Sequence, residues 1–267
     1  MLLIEEHPRI PIVAKYVDRY QLFIIEKPAF FKTIPNGKIE CYLIKKGEFT
    51  KWDIESNSLT KSDRSGILPA TNQTSIYCIP SNLICLNIKL NLTVLSLPLF
   101  EGVLTSPKNF GMEQFISGPE QKKILSRIVY KNPKIDVAAL DAIIEHSVKG
   151  KSVDKKIVEV MQLIEDGATK SLKVTDLARD INMSEKTMER WIRKQFNLTP
   201  KELLQVIRFE KVSKQLKTQP NKRLADSLEF GYYDQSHFIK ECRKITGYPP
   251  KEFVAKMKLS TNDIVFE

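Results

Sequence analysis

The chain has 267 residues, of which 42% are hydrophobic and 28% are charged, and its formal net charge is +10. This length allows one large domain or two ordinary ones, and the composition excludes a disordered or fibrous protein. The basic excess is spread over the chain, because residues 1–150 hold 19 basic and 15 acidic residues and residues 151–267 hold 23 and 17. The charge therefore permits contact with a polyanion without requiring it.

The chain has four cysteines, at Cys41, Cys78, Cys85 and Cys242. They show no Cys-x-x-Cys spacing and no disulfide framework, which favours a reducing cytoplasm over secretion. Met1-Leu-Leu-Ile is followed at once by Glu5-Glu-His-Pro, which does not fit a signal peptide. The most apolar stretch, residues 83–100, is interrupted by polar residues and Pro98, so it does not fit a membrane span. We expect a soluble, cytoplasmic protein.

The first third of the chain alternates short apolar runs with turn residues. Runs rich in β-branched and aromatic residues predict strands, and turns are expected where Pro and Gly interrupt them. The expected strands cover residues 20–25, 38–44, 49–52, 66–68, 75–79 and 83–89, with turns at 35–37 and 45–47. Several short strands at this spacing predict a barrel-like or sandwich-like β-rich domain, which we assign to residues 1–111.

This β-rich domain has no recognisable catalytic pattern. The three histidines, His7, His146 and His237, are far apart in sequence, whereas a metal site needs clustered ligands. The chain has no nucleophile elbow, phosphate-binding glycine loop or zinc-protease motif. Three aromatic residues could line a ligand pocket or simply form core, and the second is commoner: Tyr42, Phe49 and Trp52. We expect no enzyme, no metal and no cofactor.

Residues 112–152 are predicted to be a helical linker region. Apolar residues at helical spacing surround Ile124, and Pro133 ends that helix. A second short helix follows Asp136, and residues 146–152 read as a polar linker. These helices could form a dimer seam or complete the core of the first domain, and the sequence favours neither.

The rest of the chain contains one pattern twice, fifty residues apart. The first copy reads Val174-Thr-Asp-Leu-Ala-Arg, then Met183-Ser-Glu-Lys-Thr-Met-Glu-Arg-Trp-Ile, then Asn197-Leu-Thr-Pro. The second reads Leu224-Ala-Asp-Ser-Leu-Glu, then Tyr233-Asp-Gln-Ser-His-Phe-Ile-Lys-Glu-Cys, then Gly247-Tyr-Pro-Pro. Each copy predicts a short helix, a tight turn and a second amphipathic helix, the pattern of a helix-turn-helix that reads DNA.

The predicted caps mark where the helices of each copy begin, and helical spacing divides the second helix of each copy into a buried and an exposed face. Ser171 and Ser184 are the expected N-caps in the first copy, and Asp234 is the expected cap in the second. In the first copy Lys186, Arg190 and Arg193 are expected to face outward, and hence DNA, with Glu189 on the flank of that face. In the second copy Ser236 and Lys240 are expected to face outward, with Gln235 in the exposed first turn. Arg and Lys favour guanine, Gln favours adenine and Ser can serve either base.

A long helix is predicted between the two copies. Residues 199–202, Thr-Pro-Lys-Glu, form a capping box, and the helix should reach Lys217. Its length of about 27 Å is close to the separation of about 34 Å between successive major-groove segments. A generic helical bundle with charged exposed faces is the alternative, and the repeat, caps and spacing together argue against it.

Residues 155–257 resemble the DNA-binding domain of AraC/XylS-type transcription regulators. The similarity is carried by Leu177-Ala, Met183-Ser, Met188, Arg190, Asn197-Leu-Thr-Pro, Arg208-Phe, Gly231-Tyr-Tyr-Asp-Gln-Ser-His-Phe and Gly247-Tyr-Pro-Pro. More faintly, residues 22–110 are similar to the sensor-like domain of the family, with Ile34-Pro-Asn-Gly-Lys-Ile-Glu as its turn between strands.

This resemblance implies a two-domain α+β protein that binds double-stranded DNA. The C-terminal domain, residues 153–258, would be an all-α, seven-helix, double helix-turn-helix domain, followed by a tail at 259–267. The family's base readers map onto Lys186, Glu189 and Arg190, and onto Gln235, Ser236 and Lys240. The N-terminal domain would bind a small-molecule effector or form a homodimer.

The second copy departs from the family pattern in its first helix. The family has a small residue four before Gly231 and apolar residues five and eight before it, whereas this chain has Ser227, Asp226 and Arg223. The copy therefore reads as one residue short, and we expect its first helix to shift or pack loosely. An interaction module that binds DNA without sequence preference is therefore one alternative. A DNA-repair alkyl-transfer protein is another, because such proteins can carry the same type of DNA-binding domain.

Overall fold

The computed structural model describes residues 1–53, 57–72, 74–101, 112–167, 173–218, 230–257 and 264–266. The chain divides into two compact units. The first, called the β-rich unit below, comprises residues 1–30, 38–69 and 77–157; the second, called the helical unit, comprises residues 31–37, 70–76 and 158–267. The predicted α+β class, with a β-rich N-terminal region and a helical C-terminal region, is confirmed.

The strands are β1 (Leu2–Glu6), β2 (Val17–Ile25), β3 (Ala29–Thr33), β4 (Ile39–Lys46), β5 (Thr50–Asp53), β6 (Ser58–Lys61), β7 (Ser65–Leu68), β8 (Ser75–Ile79), β9 (Leu83–Leu90) and β10 (Ile264–Phe266). They form two five-stranded sheets, in the orders β1-β2-β9-β4-β7 and β10-β3-β8-β5-β6. All six predicted strands are present, and the sequence did not predict β1, β3, β6 or β10.

The helices are α1 (Pro11–Ala14), α2 (Gly118–Ser126), α3 (Val137–Val148), α4 (Lys155–Gly167), α5 (Val174–Asp180), α6 (Glu185–Phe196), α7 (Pro200–Thr218), α8 (Gln235–Thr246) and α9 (Pro250–Met257). Six of these, α4 to α9, lie in the predicted C-terminal domain. The seventh helix that the resemblance implies, around residue 224, lies outside the described residues, as do the predicted N-cap Ser171 and the departures at residues 223–227.

The core of the β-rich unit is formed around β2 and β9. These antiparallel strands place Leu22 opposite Leu86 and Tyr20 opposite Ile88, and all four side chains are buried. Two of the aromatic residues proposed for a pocket belong to this core, because Phe49 packs edge-on against Tyr42 with ring centroids 5.0 Å apart. Trp52 is the exception, with 39% of its surface exposed.

The helix α3 completes this core. Its N-cap Asp136 accepts a hydrogen bond from the Ala139 amide, and its buried Asp141 accepts one from the Tyr20 hydroxyl at 2.6 Å. Burial raises the pKa of Tyr20, and the neighbouring Asp141 carboxylate raises it further. The linker helices were expected either to form a dimer seam or to complete the core of the first domain. These contacts place α3 in the core of the β-rich unit. The helix also continues to Val148, so the linker predicted from residue 146 begins later than expected.

The helical unit has a core that includes a residue from the first third of the chain. Aromatic side chains of α7, α8 and α9 meet there: Phe209, Phe238 and Phe253 are fully buried. Ile34, which follows β3, belongs to the same cluster and is 3% exposed. In this unit β10 also pairs with β3, placing Ile264 opposite Thr33, so part of the predicted tail is a strand.

Candidate nucleic-acid interface

The first helix-turn-helix consists of α5, a tight turn and α6. Asn182 occupies the turn with φ of +52°, a left-handed conformation that Asn tolerates. The Ser184 hydroxyl accepts a hydrogen bond from the Thr187 amide at 3.2 Å, which confirms the predicted cap of α6. The sequence predicted that Ser171 would cap α5. In the structure α5 begins after Lys173, whose amide donates to the Asp176 carboxylate.

The helix α6 has the predicted two faces. Met188, Ile192 and Phe196 are buried, and the four predicted outward residues, Lys186, Glu189, Arg190 and Arg193, are all exposed. Arg193 donates from both Nε and Nη2 to Glu189 Oε1, each at 3.1 Å. Lys186 and Arg190 have no such partner among the described residues, which leaves their charged groups available to a ligand.

The helix α8 repeats this arrangement in the second copy. Asp234 Oδ1 accepts a hydrogen bond from the His237 amide at 2.7 Å, which confirms the second predicted cap. Phe238 and Cys242 are fully buried. The predicted outward residues of this helix are all exposed, namely Gln235, Ser236 and Lys240.

The fifty-residue repeat is preserved in the backbone geometry. Helices α6 and α8 both have 12 residues and begin fifty positions apart. Each ends in a left-handed C-cap, Asn197 with φ of +54° and Gly247 with φ of +82°. Each cap amide donates to a carbonyl four residues earlier, at 3.0 and 2.9 Å respectively. Asn is therefore a working substitute for the usual Gly at the first position.

The second copy contains a buried polar group that the sequence did not single out. Glu241 is 7% exposed and accepts a hydrogen bond from the Tyr232 hydroxyl at 2.6 Å. Its other oxygen lies 3.8 Å from His237 Nε2. Burial raises the pKa of Tyr232, and the Glu241 charge raises it further. In the sequence, only the spacing of His237 and Glu241, one helical turn apart, indicated that these two side chains would be neighbours.

The two copies are joined by α7, which has 19 residues and so a length of about 28 Å. Its predicted capping box is confirmed. The Thr199 amide donates to Glu202 Oε2 at 2.8 Å, and the Glu202 amide donates to Thr199 Oγ1 at 3.1 Å. The capping box therefore holds the first turn of α7, the helix that follows the first copy.

We expect Thr199→Ala to lower the free energy of unfolding of the helical unit by about 1 kcal/mol, because one of the first amides of α7 loses its acceptor.

The Thr199 amide also lowers the pKa of Glu202. That contribution is present above the ordinary pKa of a glutamate and disappears as the pH falls through the lowered value. Urea unfolding followed by circular dichroism should therefore show Glu202→Gln destabilising at pH 7, and progressively less so as the pH falls below the ordinary pKa of a glutamate.

The matched control for this cap is Thr175→Ala. Thr175 is an exposed threonine in the first turn of α5, and no side-chain hydrogen bond links it to another described residue. If Thr199→Ala and Thr175→Ala have the same effect, the capping box does not stabilise α7.

Three of the four cysteines, Cys41, Cys85 and Cys242, lie in surroundings that disfavour a reactive thiolate. Burial raises the pKa of Cys41, and it raises those of Cys85 and Cys242 to about 12. An acceptor thiol needs the opposite shift, because the thiolate is the nucleophile. Within the described ranges, no group of three His, Cys, Asp or Glu side chains could hold a metal ion. No described helix is long and apolar enough to cross a membrane.

One capped helix-turn-helix, a long helix and a second capped helix fifty residues after the first reading helix are the arrangement of double helix-turn-helix DNA-binding proteins. Residues 177–256 match the family model described as a helix-turn-helix domain, of the AraC type. This segment of the chain is therefore an AraC-type helix-turn-helix domain. No curated protein matches the chain in sequence.

The chain is similar in fold to ToxT from Vibrio cholerae over most of its length. One ToxT crystal structure matches with a TM-score of 0.52 and 10% sequence identity, covering 88% of this chain and 98% of that one. An apo structure of a ToxT variant from the same organism matches with a TM-score of 0.52 and 11% identity, covering 94% and 99%. The C-terminal domain of AraT from Geobacillus stearothermophilus is 23% identical over 38% of this chain and 85% of that domain, with a TM-score of 0.36. The ToxT likeness shows a shared two-domain fold.

Proposed function

We propose that this protein is a sequence-specific, cytoplasmic transcription regulator whose helices α6 and α8 enter successive segments of the major groove. The observation that carries the proposal is the repeat itself: two helices with equal lengths, equivalent caps and exposed polar faces, joined by α7. A length of about 28 Å for α7 suits two segments one helical turn, about 34 Å, apart.

The exposed side chains of α6 suit base reading. Lys186 and Arg190 have no partner within the described parts of the chain and can therefore reach acceptors on guanine, where arginine can bind both O6 and N7. The Glu189 carboxylate is held by Arg193, so we assign this pair either to a cytosine amino group through Glu189 or to a phosphate through Arg193. Substitution of Arg190 should thus affect specificity more than substitution of Arg193.

The exposed side chains of α8 have a different chemistry. Gln235 can bind adenine through N6 and N7, while Ser236 can pair with any base edge and Lys240 favours guanine or a phosphate. The first helix-turn-helix therefore prefers a guanine-containing segment and the second a segment that contains adenine. A difference of this kind makes an asymmetric binding site.

For the β-rich unit we propose the role of an effector-binding or dimerising domain. Buried polar side chains lie opposite each other in β2 and β9, where Gln21 faces Asn87. Gln21 Oε1 and Asn87 Oδ1 have no hydrogen-bond donor in the part of the chain that the structure describes. A polar small molecule could supply those donors.

Selection of bound DNA from a random pool by the purified full-length protein tests the proposed function. We expect one enriched sequence with two conserved segments about 10 base pairs apart. Its affinity should exceed that for an unrelated duplex at least about 10³-fold. Binding that falls steeply with salt but enriches no sequence would contradict sequence reading and favour a non-specific module.

A further inference from the structure

The helical unit contains a cleft with a concentration of positive charge. The cleft has a volume of about 570 Å³ and lies between α7 and α8, beside the first residues of α5. One carboxylate, that of Glu241, lines the cleft. Five cationic side chains also line it: Lys173, Lys201, Arg208, Lys240 and Lys244. We call this the basic cleft.

The lysines of the basic cleft have no close ion-pair partner among the described residues, and Glu202 acts on Lys244 only at longer range, where the lysine charge helps to lower the Glu202 pKa. Two exposed arginines elsewhere in the helical unit have acidic partners, Asp176 for Arg179 at 3.3 Å and Glu189 for Arg193 at 3.1 Å. Among the described residues, by contrast, none of the four lysines of the cleft has a carboxylate within 4 Å of its ammonium group. Glu241 does not serve them, because it accepts from Tyr232 and faces His237. Like charges left in one cleft repel each other until an anion enters it.

Two residues that line the cleft each contain a buried nitrogen atom without a hydrogen-bond partner among the described residues. Arg208 Nε and His237 Nδ1 are both buried, and neither meets a partner among the residues that the structure describes. The Arg208 guanidinium lies over the Tyr232 ring, 5.5 Å from its centroid, which limits its movement. A buried nitrogen without a partner is unfavourable. Guanidinium groups bind oxyanions through a planar set of donors, so an oxyanion in the cleft would add an acceptor beside Arg208.

We propose that the basic cleft binds backbone phosphates of the DNA, between the two segments read by α6 and α8. The inference rests on the proposed function. Lys240 lines the cleft and also belongs to the exposed face of α8, so the cleft borders that face. One wall of the cleft is α7, the helix that joins the two reading units. Phosphate contacts here would set the register of both helices on the duplex without contributing sequence preference.

The test compares two full-length variants with the same loss of charge. Lys201→Gln/Lys244→Gln removes two cations from the cleft, neither of which we assign to base reading. The control, Lys122→Gln/Lys123→Gln, removes two exposed lysines from α2. Dissociation constants for the selected site and for an unrelated duplex are measured between 50 and 300 mM salt.

For the cleft variant we expect roughly tenfold weaker binding at 150 mM salt, equal for both duplexes. The slope of log K against log salt should fall in magnitude by about 2, since each lost phosphate contact contributes about 0.9. A second measurement replaces single phosphates between the two segments by uncharged methylphosphonates. Wild-type protein should lose affinity at these positions about tenfold, while the cleft variant should lose little.

The two proposals fail in distinguishable ways. If the cleft variant matches the control in affinity and slope, the phosphate site is overturned even when the wild type has a specific binding site. If the wild type prefers no sequence but the cleft variant still lowers the salt slope, sequence reading fails and the phosphate site is supported.

Discussion

Replacing Ile34 with alanine should destabilise the helical unit by about 2–5 kcal/mol, although residue 34 is far from the helices in sequence. Ile34 is 3% exposed and packs in the cluster that contains Phe209 and Phe238. Removing most of its side chain loses buried apolar contacts and leaves a cavity that the surrounding aromatic rings cannot fill.

Native-state hydrogen exchange measures this effect where it should occur. In Ile34→Ala the slowest amides of α7, α8 and α9 should exchange at least about 30-fold faster, following the lost free energy of opening. The control is Ile88→Ala, a fully buried isoleucine of β9 in the β-rich unit, whose largest effect should fall on β2, β4 and β9. Unchanged exchange in α7 to α9 of Ile34→Ala would mean that residues 31–37 are not part of the helical core.

Replacing Arg190 with alanine should cost about 1–3 kcal/mol of binding free energy at the selected DNA site, or about five- to 150-fold in affinity. Arg190 is exposed on α6 and has no ion-pair partner among the described residues, so the loss reports a contact with DNA. The same reasoning gives a similar loss for Lys240→Ala in α8. Both variants should keep their helical content, because neither side chain is buried.

The expected loss for Arg190→Ala is one of specificity, which separates base reading from charge. Affinity for an unrelated duplex should fall far less than affinity for the selected site, and preference should relax at one base pair. Lys123→Ala in α2, which removes one exposed positive charge, is the control for charge alone. Equal losses on both duplexes would assign Arg190 to a phosphate.

The reading helices could be predicted closely because the information that defines them is local. Ser184 and Asp234 cap helices that begin at the next residue, and the spacing of Met188, Ile192 and Phe196 identifies the buried face of α6. The pairing of Glu189 with Arg193 also follows a local rule, since side chains four residues apart are neighbours on a helix.

The helical core and the basic cleft could not be predicted because their parts are distant in sequence. Ile34 and the strand β3 join the helical unit through contacts with residues about 170 or more positions later. Lys173, Lys201 and Lys244 belong to three separate stretches of the chain, and only the folded arrangement of α7 and α8 brings them to one cleft. Helical periodicity predicts which residues are exposed, and it does not predict which exposed residues meet.

The central claim is that α6 and α8 read two separate segments of one DNA site. Missing-base interference on the selected site tests this claim most directly, with wild-type protein, Arg190→Ala and Lys240→Ala compared on the same duplex. We predict two blocks of required bases about 10 base pairs apart. Arg190→Ala should remove interference at one base position in one block only, and Lys240→Ala at one base position in the other block only. A single block, or two variants that affect the same block, would contradict reading by two helices.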